Sequence, residues 1–518
     1  MRAIGKWIRP AAAFAAAASL LFIAGCSTAS PGDDGASGAG LEQFMTQELE
    51  FGACDPTIVS SQPPAVPQLV AAAERADCAM LEVPLDYEDL DGETIELALS
   101  RISASGEDPL GSVVVNPGGP GSQSTTFAPL LAALWEDGPI GARFDVVGFD
   151  PRGVGLSSPS VDCYTDEERD ATEPMSALGA WTEESTRAIV EKCADGSGGE
   201  KMLAHLGTRD VARDLDVLRS ALGDDKLTYA GLSYGSRLGT VYAEMFPDKV
   251  RALVLDGAVD PLKDSRERQI QQRAAIQASF ERFAEYCATQ EECPLGTDPT
   301  RASGAAQALL QPLVDEPLAA TGGRELTFLA AGEGILYGLN SEALWPAAVN
   351  GLVELKAGRA DALLAMRDTS YGRSETGEYS NGLEATFAIN CIDEDRLSKK
   401  EMTDLGNELD ELAPLLDPGT TPTSVHGCAD WPGESTLGFP YGTDIEGLPE
   451  VLVTSATGDP ATPHAGAISL ATTLGARLLT VDANQHGTIA SGIECVDDAV
   501  ANYLVELELP DAGARCSL

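Results

Sequence analysis

The chain has 518 residues, 81 of them acidic and 34 basic, and a formal net charge of −47 at pH 7. Its length predicts one large domain with an insertion, or two to three domains. A charge of this sign repels nucleic acid and anionic lipid headgroups, which excludes a nucleic-acid-binding protein. The same acidity is typical of a protein that must stay soluble outside the cell.

The N-terminus has the pattern of an export signal. Three basic residues precede an apolar stretch of about 15 residues, which is short for a membrane span. The letters IAGC resemble a bacterial lipoprotein signal, so we predict a signal peptide over 1–25 and lipidation of Cys26. An ordinary secretory signal with an incidental cysteine is the alternative. The polar stretch after Cys26 predicts a flexible tether over 26–45.

Ten of the eleven cysteines remain when Cys26 is set aside, an even number in a chain expected to be exported. Joining sequence neighbours is the simplest pairing and predicts five disulfides: Cys54–Cys78, Cys163–Cys193, Cys287–Cys293, Cys391–Cys428 and Cys495–Cys516. No CxxC or Cys/His spacing is typical of zinc, and the chain has only four histidines. We therefore expect neither a metal nor another cofactor.

Short apolar runs alternate with helical patterns along the mature chain, which predicts a mostly parallel sheet. Runs without polar alternation fit strands that are buried on both faces. The first two runs have the pattern of an antiparallel pair. Eight strands are predicted, over 81–87, 93–102, 112–116, 144–150, 226–231, 251–257, 450–456 and 476–482.

A long segment separates the sixth and seventh predicted strands. It spans roughly 190 residues, where about 20 to 30 would make a simple crossover. The stretches RERQIQQRAAIQASFERFAEYC and SEALWPAAVNGLVELKAG within it have helical patterns. We therefore predict a first core part over 46–260, an inserted and mainly helical cap over 261–440, and the end of the core over 441–518.

The sequence YAGLSYGSRLG, residues 229–239, places Ser233 between two glycines. A G-x-S-x-G match alone is weak in a chain with 53 glycines. Here it follows a predicted strand and precedes a predicted helix, which is the setting of a nucleophile elbow. Gly231 and Gly235 leave room for the tight turn. We predict that Ser233 is a nucleophile rather than an ordinary turn residue.

A serine nucleophile needs a base, and in this kind of site the acid and then the histidine follow the serine along the chain. His486 lies in the loop after the last strand and is the predicted base, while His464 is the alternative and is interpreted as a surface or rim residue. Asp459 follows the penultimate strand and is predicted to orient the imidazole. A turn or helix-cap role is its alternative.

The stretch VVVNPGGPGS, residues 113–122, brings glycine backbone to the predicted site. The expected donors to an oxyanion are the N–H groups of Gly119 and Tyr234. Pro120 has no N–H and cannot donate. A phosphate-binding loop is the alternative, but the Lys-Ser/Thr ending and the G-x-G-x-x-G pattern are both missing.

Several stretches resemble the tripeptidyl aminopeptidase-like serine peptidases, exported actinobacterial relatives of the prolyl aminopeptidases. They are NPGGPGS, DVVGFDPRGVGLSSP, GLSYGSRLGTVYAEMFPDKVRALVLDGAVDP, TGDPATP…NQHGT, AINCIDED, CADW and SGIECVDDAVANYLVELELPDAGARC. The resemblance covers nearly all of the predicted mature chain. It implies an α/β-hydrolase fold with a cap, a triad of Ser233, Asp459 and His486, and Gly119 and Tyr234 as oxyanion donors.

The resemblance implies an exported, lipid-anchored aminopeptidase that releases di- or tripeptides from free N-termini and acts as a monomer. Pro117 stands where the prolyl aminopeptidase pattern has a histidine, so substrate geometry does not carry over. A carboxylesterase or an envelope endoprotease would use the same catalytic residues, and a binding lipoprotein without activity is a further alternative. An aminopeptidase needs a carboxylate for the substrate ammonium, for which Asp393, Glu394 and Asp395 are candidates.

Overall fold

The N-terminal helix lies where the flexible tether was predicted to end. Residues Ser37–Met45 are helical, and Phe44 is only 4% exposed because it packs into the main hydrophobic core. The prediction of a flexible tether is therefore wrong for residues 37–45. The predicted signal peptide and Cys26 lie outside the described residues. The computed structural model describes residues 37–62, 66–171, 175, 178–419, 424–489 and 491–517.

The described residues form twelve strands. In chain order they are β1 Gly52–Ala53, β2 Asp77–Pro84, β3 Thr94–Ile102, β4 Gly111–Asn116, β5 Phe144–Phe149, β6 Leu227–Leu232, β7 Val250–Asp256, β8 Leu318–Ala319, β9 Glu325–Leu326, β10 Leu452–Ala456, β11 Arg477–Asp482 and β12 Arg515–Ser517. The eight predicted strands are confirmed as β2–β7, β10 and β11. Strands β1 and β12 extend the sheet edges and are too short to give a sequence pattern.

One ten-stranded sheet has the order β1-β2-β3-β5-β4-β6-β7-β10-β11-β12, and β8 pairs only with β9. All neighbours from β5 through to β12 are parallel. The first three strands join the sheet antiparallel. The predicted mostly parallel sheet is confirmed. Because parallel strands end at the same edge, the loops after β4, β6, β7, β10 and β11 meet there.

Nineteen α-helices are formed by the described residues. They are α1 Ser37–Met45, α2 Pro56–Ser60, α3 Pro67–Glu74, α4 Ser124–Trp135, α5 Pro139–Arg143, α6 Asp166–Ala171, α7 Glu183–Gly196, α8 Glu200–Leu203, α9 Thr208–Ala221, α10 Tyr234–Met245, α11 Ser265–Ala288, α12 Ala302–Leu310, α13 Phe328–Leu339, α14 Trp345–Lys356, α15 Asp361–Ser370, α16 Gly382–Asp393, α17 Lys399–Leu412, α18 His464–Leu474 and α19 Glu494–Glu506. None of them is both long and apolar enough to cross a membrane.

Helices cover both faces of the sheet. Successive side chains of a strand point to opposite faces. Val113 and Val115 of β4 therefore pack with α4 and α19, whereas Val114 packs with α9, α10 and α18. Burial of each such valine contributes about 1.5–3 kcal/mol. The continuous apolar run of β4 is explained by this burial on both sides.

The segment between β7 and β10 contains two kinds of packing. Helices α11 to α15 share a separate hydrophobic cluster, and we call them the helical layer. Helix α16 packs into the main core instead, through Ala385, Ala388 and Ile389. Asn381, just before α16, donates hydrogen bonds to the carbonyls of Gly153 and Val161, both at 3.0 Å. This helix is therefore fixed to the core beside the sheet edge.

Five disulfides join the ten cysteines of the described residues. The pairs are those predicted from the order of the cysteines along the chain: Cys54–Cys78, Cys163–Cys193, Cys287–Cys293, Cys391–Cys428 and Cys495–Cys516. The fourth pair ties the end of α16 to the segment that leads back towards β10.

Candidate active site

The turn between β6 and α10 presents Ser233. Its backbone has φ 59° and ψ −120°, a conformation that is rare for a residue other than glycine. The turn is also crowded. A Cβ atom on Gly231 would lie 2.5 Å from the carbonyl oxygen of Gly235, and one on Gly235 would lie 2.9 Å from that of Asn116. The two glycines of the motif are therefore required by space, and the serine is left half-buried at the carboxyl end of β6.

Asp459 and His486 are hydrogen-bonded to each other. Asp459 follows β10 and His486 follows β11, and Nδ1 of the histidine lies 3.0 Å from both carboxylate oxygens. The Asp459 side chain is fully buried, and its carboxylate also accepts the N–H groups of Ala461 and Thr462, at 2.9 and 2.8 Å. These bonds fix the carboxylate, so it can orient the imidazole.

The charge of Asp459 also acts on the titration of His486. Burial lowers the pKa of this histidine, but the Asp459 carboxylate and its hydrogen bond raise it by more, and the charge of Asp256 adds to the increase. The pKa of His486 is therefore above its usual range. The bond to Asp459 occupies Nδ1 and leaves Nε2 for another partner.

Asp256, at the end of β7, holds the loop that carries His486. This fully buried carboxylate accepts the N–H groups of Thr488 and Ile489, at 2.6 and 2.9 Å. It also accepts the hydroxyl groups of Thr488 and Thr454, at 2.8 and 2.7 Å. Its position at the end of an apolar strand is the only signal in the sequence, and nothing in the local pattern reveals its partners.

His464, the alternative base, lies elsewhere. It is the first residue of α18, and its Nδ1 is 3.2 Å from the hydroxyl of Ser455. It is not among the residues that line the cavity at Ser233, whereas His486 is. The geometry therefore favours His486 as the partner of Asp459.

The glycine loop after β4 packs directly against the serine turn. Gly118 has φ +94°, and a Cβ atom there would lie 2.4 Å from the carbonyl oxygen of Leu232 and 2.9 Å from Cβ of Ser233. Only glycine allows this approach. The loop is also held from the other side, because the hydroxyl of Thr386 on α16 donates to the carbonyl of Pro120.

The backbone N–H groups of the glycine loop and the serine turn differ in whether they donate a hydrogen bond within the protein. The N–H of Gly118 donates to the side chain of Asn116 at 2.9 Å. The N–H groups of Gly119 and Tyr234, the two predicted oxyanion donors, have no acceptor among the described residues. Both residues line the same cavity as Ser233. Tyr234 is the first residue of α10, where the amides have no partner within the helix.

The cavity encloses about 660 Å³ between the sheet edge and the helical layer, which is within the usual range for a small-molecule site. Ser233, Gly119, Tyr234 and His486 form one part of its wall. Another part of the wall is rich in uncharged polar side chains, mainly from the helical layer and α16: Gln269, Gln271, Gln272, Asn340, Ser370 and Asn390.

Two arginines and one glutamate form a charged cluster in the wall. Glu394 lies 3.3 Å from Arg237 and also pairs with Arg268. Burial raises the pKa of Glu394, but the two guanidinium groups lower it by more, so its net pKa is below the usual range. Asp393, also paired with Arg237, is fully buried behind the wall, and Asp395 is exposed. Of the three acids proposed from the sequence, Glu394 alone lines the cavity.

Asp260 is a second carboxylate in the wall, and no local sequence pattern distinguishes it from other acidic residues. It is 7% exposed. One of its oxygens accepts the hydroxyl of Ser469 at 2.6 Å and the N–H of Leu262 at 3.1 Å. Its other oxygen has no hydrogen-bond donor among the described residues.

Known proteins are similar to this chain over most of its length and most of their own. Residues 111–490 match the family described as alpha/beta hydrolase fold. Serine protease Hip1 of Mycobacterium tuberculosis is 40% identical over 457 residues, which cover 85% of this chain and 87% of the relative. Carboxylesterase B of the same species is 36% identical over 454 residues, with 85% and 86% covered.

A third relative is the tripeptidyl aminopeptidase of Streptomyces lividans. It is 30% identical over 447 residues, which cover 83% of this chain and 81% of the relative. The family match spans most of the chain, and the sheet order and the serine turn agree with it. The chain therefore belongs to the α/β-hydrolase family, as a serine hydrolase related to Hip1 and to the tripeptidyl aminopeptidases.

Proposed function

We propose that the protein is an extracytoplasmic serine aminopeptidase that releases di- or tripeptides from free peptide N-termini. Ser233 is the nucleophile, His486 the base and Asp459 the acid that orients it. The observation that carries the proposal is the arrangement in one cavity: Ser233 and His486 line the same wall, and His486 is hydrogen-bonded to Asp459 at 3.0 Å.

The reaction proceeds through an acyl-enzyme. Nε2 of His486 takes the proton of Ser233 while Oγ attacks the scissile carbonyl carbon. The N–H groups of Gly119 and Tyr234 donate to the oxyanion that forms. His486 then gives the proton to the leaving amine, and the C–N bond breaks. A water molecule, activated by the same histidine, hydrolyses the ester and restores Ser233.

The polar wall supports a peptide substrate over a small acyl ester. Peptide groups offer N–H donors and C=O acceptors that must be satisfied when they leave water. The side-chain amides of Gln269, Gln272 and Asn390 supply both kinds of partner along the cavity. An acyl chain would need an apolar wall instead. The carboxylesterase alternative is supported by the name of one relative, carboxylesterase B.

Asp260 is the better candidate for binding the substrate ammonium. Glu394 already pairs with Arg237 and Arg268, so its charge is compensated. Asp260 has no cationic partner among the described residues, and one of its oxygens has no donor there. A desolvated bond between an ammonium and this carboxylate is worth about 1.5–3 kcal/mol.

The test compares peptide anilides with free and acetylated N-termini, beside p-nitrophenyl acetate. We expect acetylation to lower kcat/KM by about ten- to a hundred-fold in the wild type. Asp260→Asn should lower kcat/KM for the free peptide to the acetylated level and leave ester hydrolysis unchanged. Glu394→Gln is the matched control for a carboxylate in the same wall. Equal cleavage of free and acetylated peptides would contradict the aminopeptidase and favour an endoprotease or esterase.

A further inference from the structure

We infer that the helical layer holds His486 in its catalytic position, and that Glu342 is a positioning residue for this histidine. The inference rests on the proposed function, in which His486 is the base. Glu342 belongs to the connection between α13 and α14, which contacts the loop that follows β11.

The connection and the histidine loop pair as a short antiparallel bridge. The N–H of His486 itself donates to the carbonyl of Asn340 at 2.7 Å, and the N–H of Glu342 donates to the carbonyl of Asn484 at 3.1 Å. The Glu342 carboxylate also accepts a hydrogen bond from the side-chain amide of Asn484. The backbone of the base is thus bonded directly to the helical layer.

The loop that carries Asp459 is bonded to the same layer. Arg282 of α11 donates to the carbonyl of Gly458 at 3.0 Å, and Gln272 of α11 donates to that of Ala461 at 3.1 Å. These two carbonyls flank Asp459. Both members of the acid–base pair therefore lie in loops that the helical layer contacts by hydrogen bonds.

The sheet holds the histidine loop from its other side. Asp256 accepts the N–H groups of Thr488 and Ile489, at 2.6 and 2.9 Å. His486 therefore lies between one attachment to the sheet and one to the helical layer. A misplacement of about 1 Å in a catalytic group can lower the rate about a hundred-fold. The helical layer accordingly helps to build the catalytic base, in addition to forming the cavity wall.

Glu342 is suited to test this idea because its side chain is exposed and does not line the cavity. A change there reaches the reaction through His486 rather than through the substrate. Glu342 is also the first residue of a short 3₁₀-helix, where proline is accepted. The preceding Ser341 has φ −159° and ψ 144°, the extended conformation that suits a residue before proline.

Three substitutions separate the contacts. Glu342→Pro removes the N–H donor and the carboxylate acceptor together, Glu342→Ala removes only the acceptor, and Glu342→Gln keeps an oxygen that accepts the bond from Asn484. The substrate is p-nitrophenyl acetate, which has no peptide group or ammonium for the polar side chains of the helical layer to bind. Thermal unfolding checks that each variant is folded.

We expect Glu342→Pro to lower kcat for the acetate ester by roughly ten-fold or more. Glu342→Ala should have a smaller effect, and Glu342→Gln should restore most of the rate. The acidic limb of the kcat/KM profile should also move to lower pH in Glu342→Pro, because a looser bond to Asp459 raises the pKa of His486 less. A merely structural contact would not move this limb.

An unchanged kcat in folded Glu342→Pro overturns the inference. A higher KM for peptides with unchanged ester hydrolysis also overturns it, because the connection would then act on substrate binding. If Glu342→Pro does not fold, Glu342→Ala, Asn484→Ala and the variant with both changes are compared. Losses of kcat that do not add in the double variant support the inference. Additive losses, or no loss, contradict it. Failure of the proposed function is distinct: equal cleavage of free and acetylated peptides would contradict the aminopeptidase, and an active His486→Ala would contradict the assignment of His486 as the base.

Discussion

The backbone of Ser233 is strained by the same turn that presents its hydroxyl. A residue other than glycine in such a conformation costs roughly 1–3 kcal/mol, and strain of this kind clusters at functional sites. The turn persists because Gly231 and Gly235 remove the clashes that any side chain would cause. The turn places Ser233 in the wall of the cavity that His486 also lines.

Replacement of Ser233 by alanine should abolish turnover without unfolding the protein. Loss of the nucleophile lowers kcat by roughly 10⁴-fold or more in related chemistry. A serine-directed phosphonate should label the wild type once per chain and leave Ser233→Ala unlabelled, as measured by intact mass. Ser370→Ala is the control, because Ser370 lines the cavity but lies on α15. Full activity in Ser233→Ala would disprove the assignment.

The pH dependence of kcat/KM should report the raised pKa of His486. The base must be neutral to accept a proton, so activity rises as pH increases through this pKa. The midpoint of this rise should lie above about pH 6.5, because the ordinary pKa of histidine is about 6.5. Asp459→Asn removes the negative charge, so the limb should move to lower pH while kcat falls by about 10⁴-fold. If the rise of kcat/KM with pH has the same midpoint in Asp459→Asn as in the wild type, Asp459 is excluded as the partner of the base.

At the scale of structural elements, the glycine loop and the serine turn act as one unit. Gly118→Ala should lower kcat by about ten- to a hundred-fold, because the new Cβ would lie 2.4 Å from the carbonyl of Leu232 and displace the turn or the loop. Gly322→Ala is a matched control. Gly322 also has positive φ, +78°, but a Cβ there would have no neighbour within 4 Å.

Comparison with Gly322→Ala separates the cost of alanine at positive φ from the clash of the new Cβ of Gly118→Ala with the serine turn. Both substitutions place alanine at positive φ, which costs roughly 1 kcal/mol. Thermal unfolding should therefore show a loss of stability in both variants, whereas kcat should fall only in Gly118→Ala. Equal kcat in the two variants would show that the close contact with Ser233 has no part in catalysis.

The elements that could be predicted are those whose signal is local. Strand β4 is a continuous apolar run, and the motif around Ser233 lies between a strand pattern and a helix pattern. The partners of Asp256 could not be predicted, because they lie 232 and 233 positions away for Thr488 and Ile489. The hydrogen bond from His486 to Asn340 also joins residues that are far apart in the chain, and no local pattern indicates it.

The choice among acids shows the same limit. Glu394 was a candidate from its place in an acidic stretch, but its neutralisation by Arg237 and Arg268 depends on how α10 and α11 meet. Asp260 lies in GAVDP, where a turn role is the simplest interpretation. Only the fold places Asp260 in the cavity wall with one oxygen that has no donor among the described residues. Charge compensation is a property of tertiary packing, so composition alone cannot give it.

At the scale of the whole molecule, charge and disulfides bear on where the protein acts. A net charge of −47 repels anionic lipid headgroups, so surface electrostatics do not attract this chain to a membrane. Five disulfides are typical of an oxidising compartment. We propose that a covalent lipid attaches the protein to a membrane outside the cytoplasm, and Cys26 is the predicted site of this lipid.

We predict that Cys26 carries two or three acyl chains and keeps the mature protein in the membrane fraction. One acyl chain gives only marginal binding, so stable attachment against the repulsion of the acidic surface needs at least two. Cys26→Ser should be released or left uncleaved. In the control, residues 1–36 are replaced by a secretory signal that is not lipidated. This form should be released with full activity, because all residues of the proposed active site follow residue 36. Intact-mass measurement of the mature chain decides: an N-terminus at another residue, without lipid, would refute the anchor and leave the proposed chemistry of Ser233 untouched.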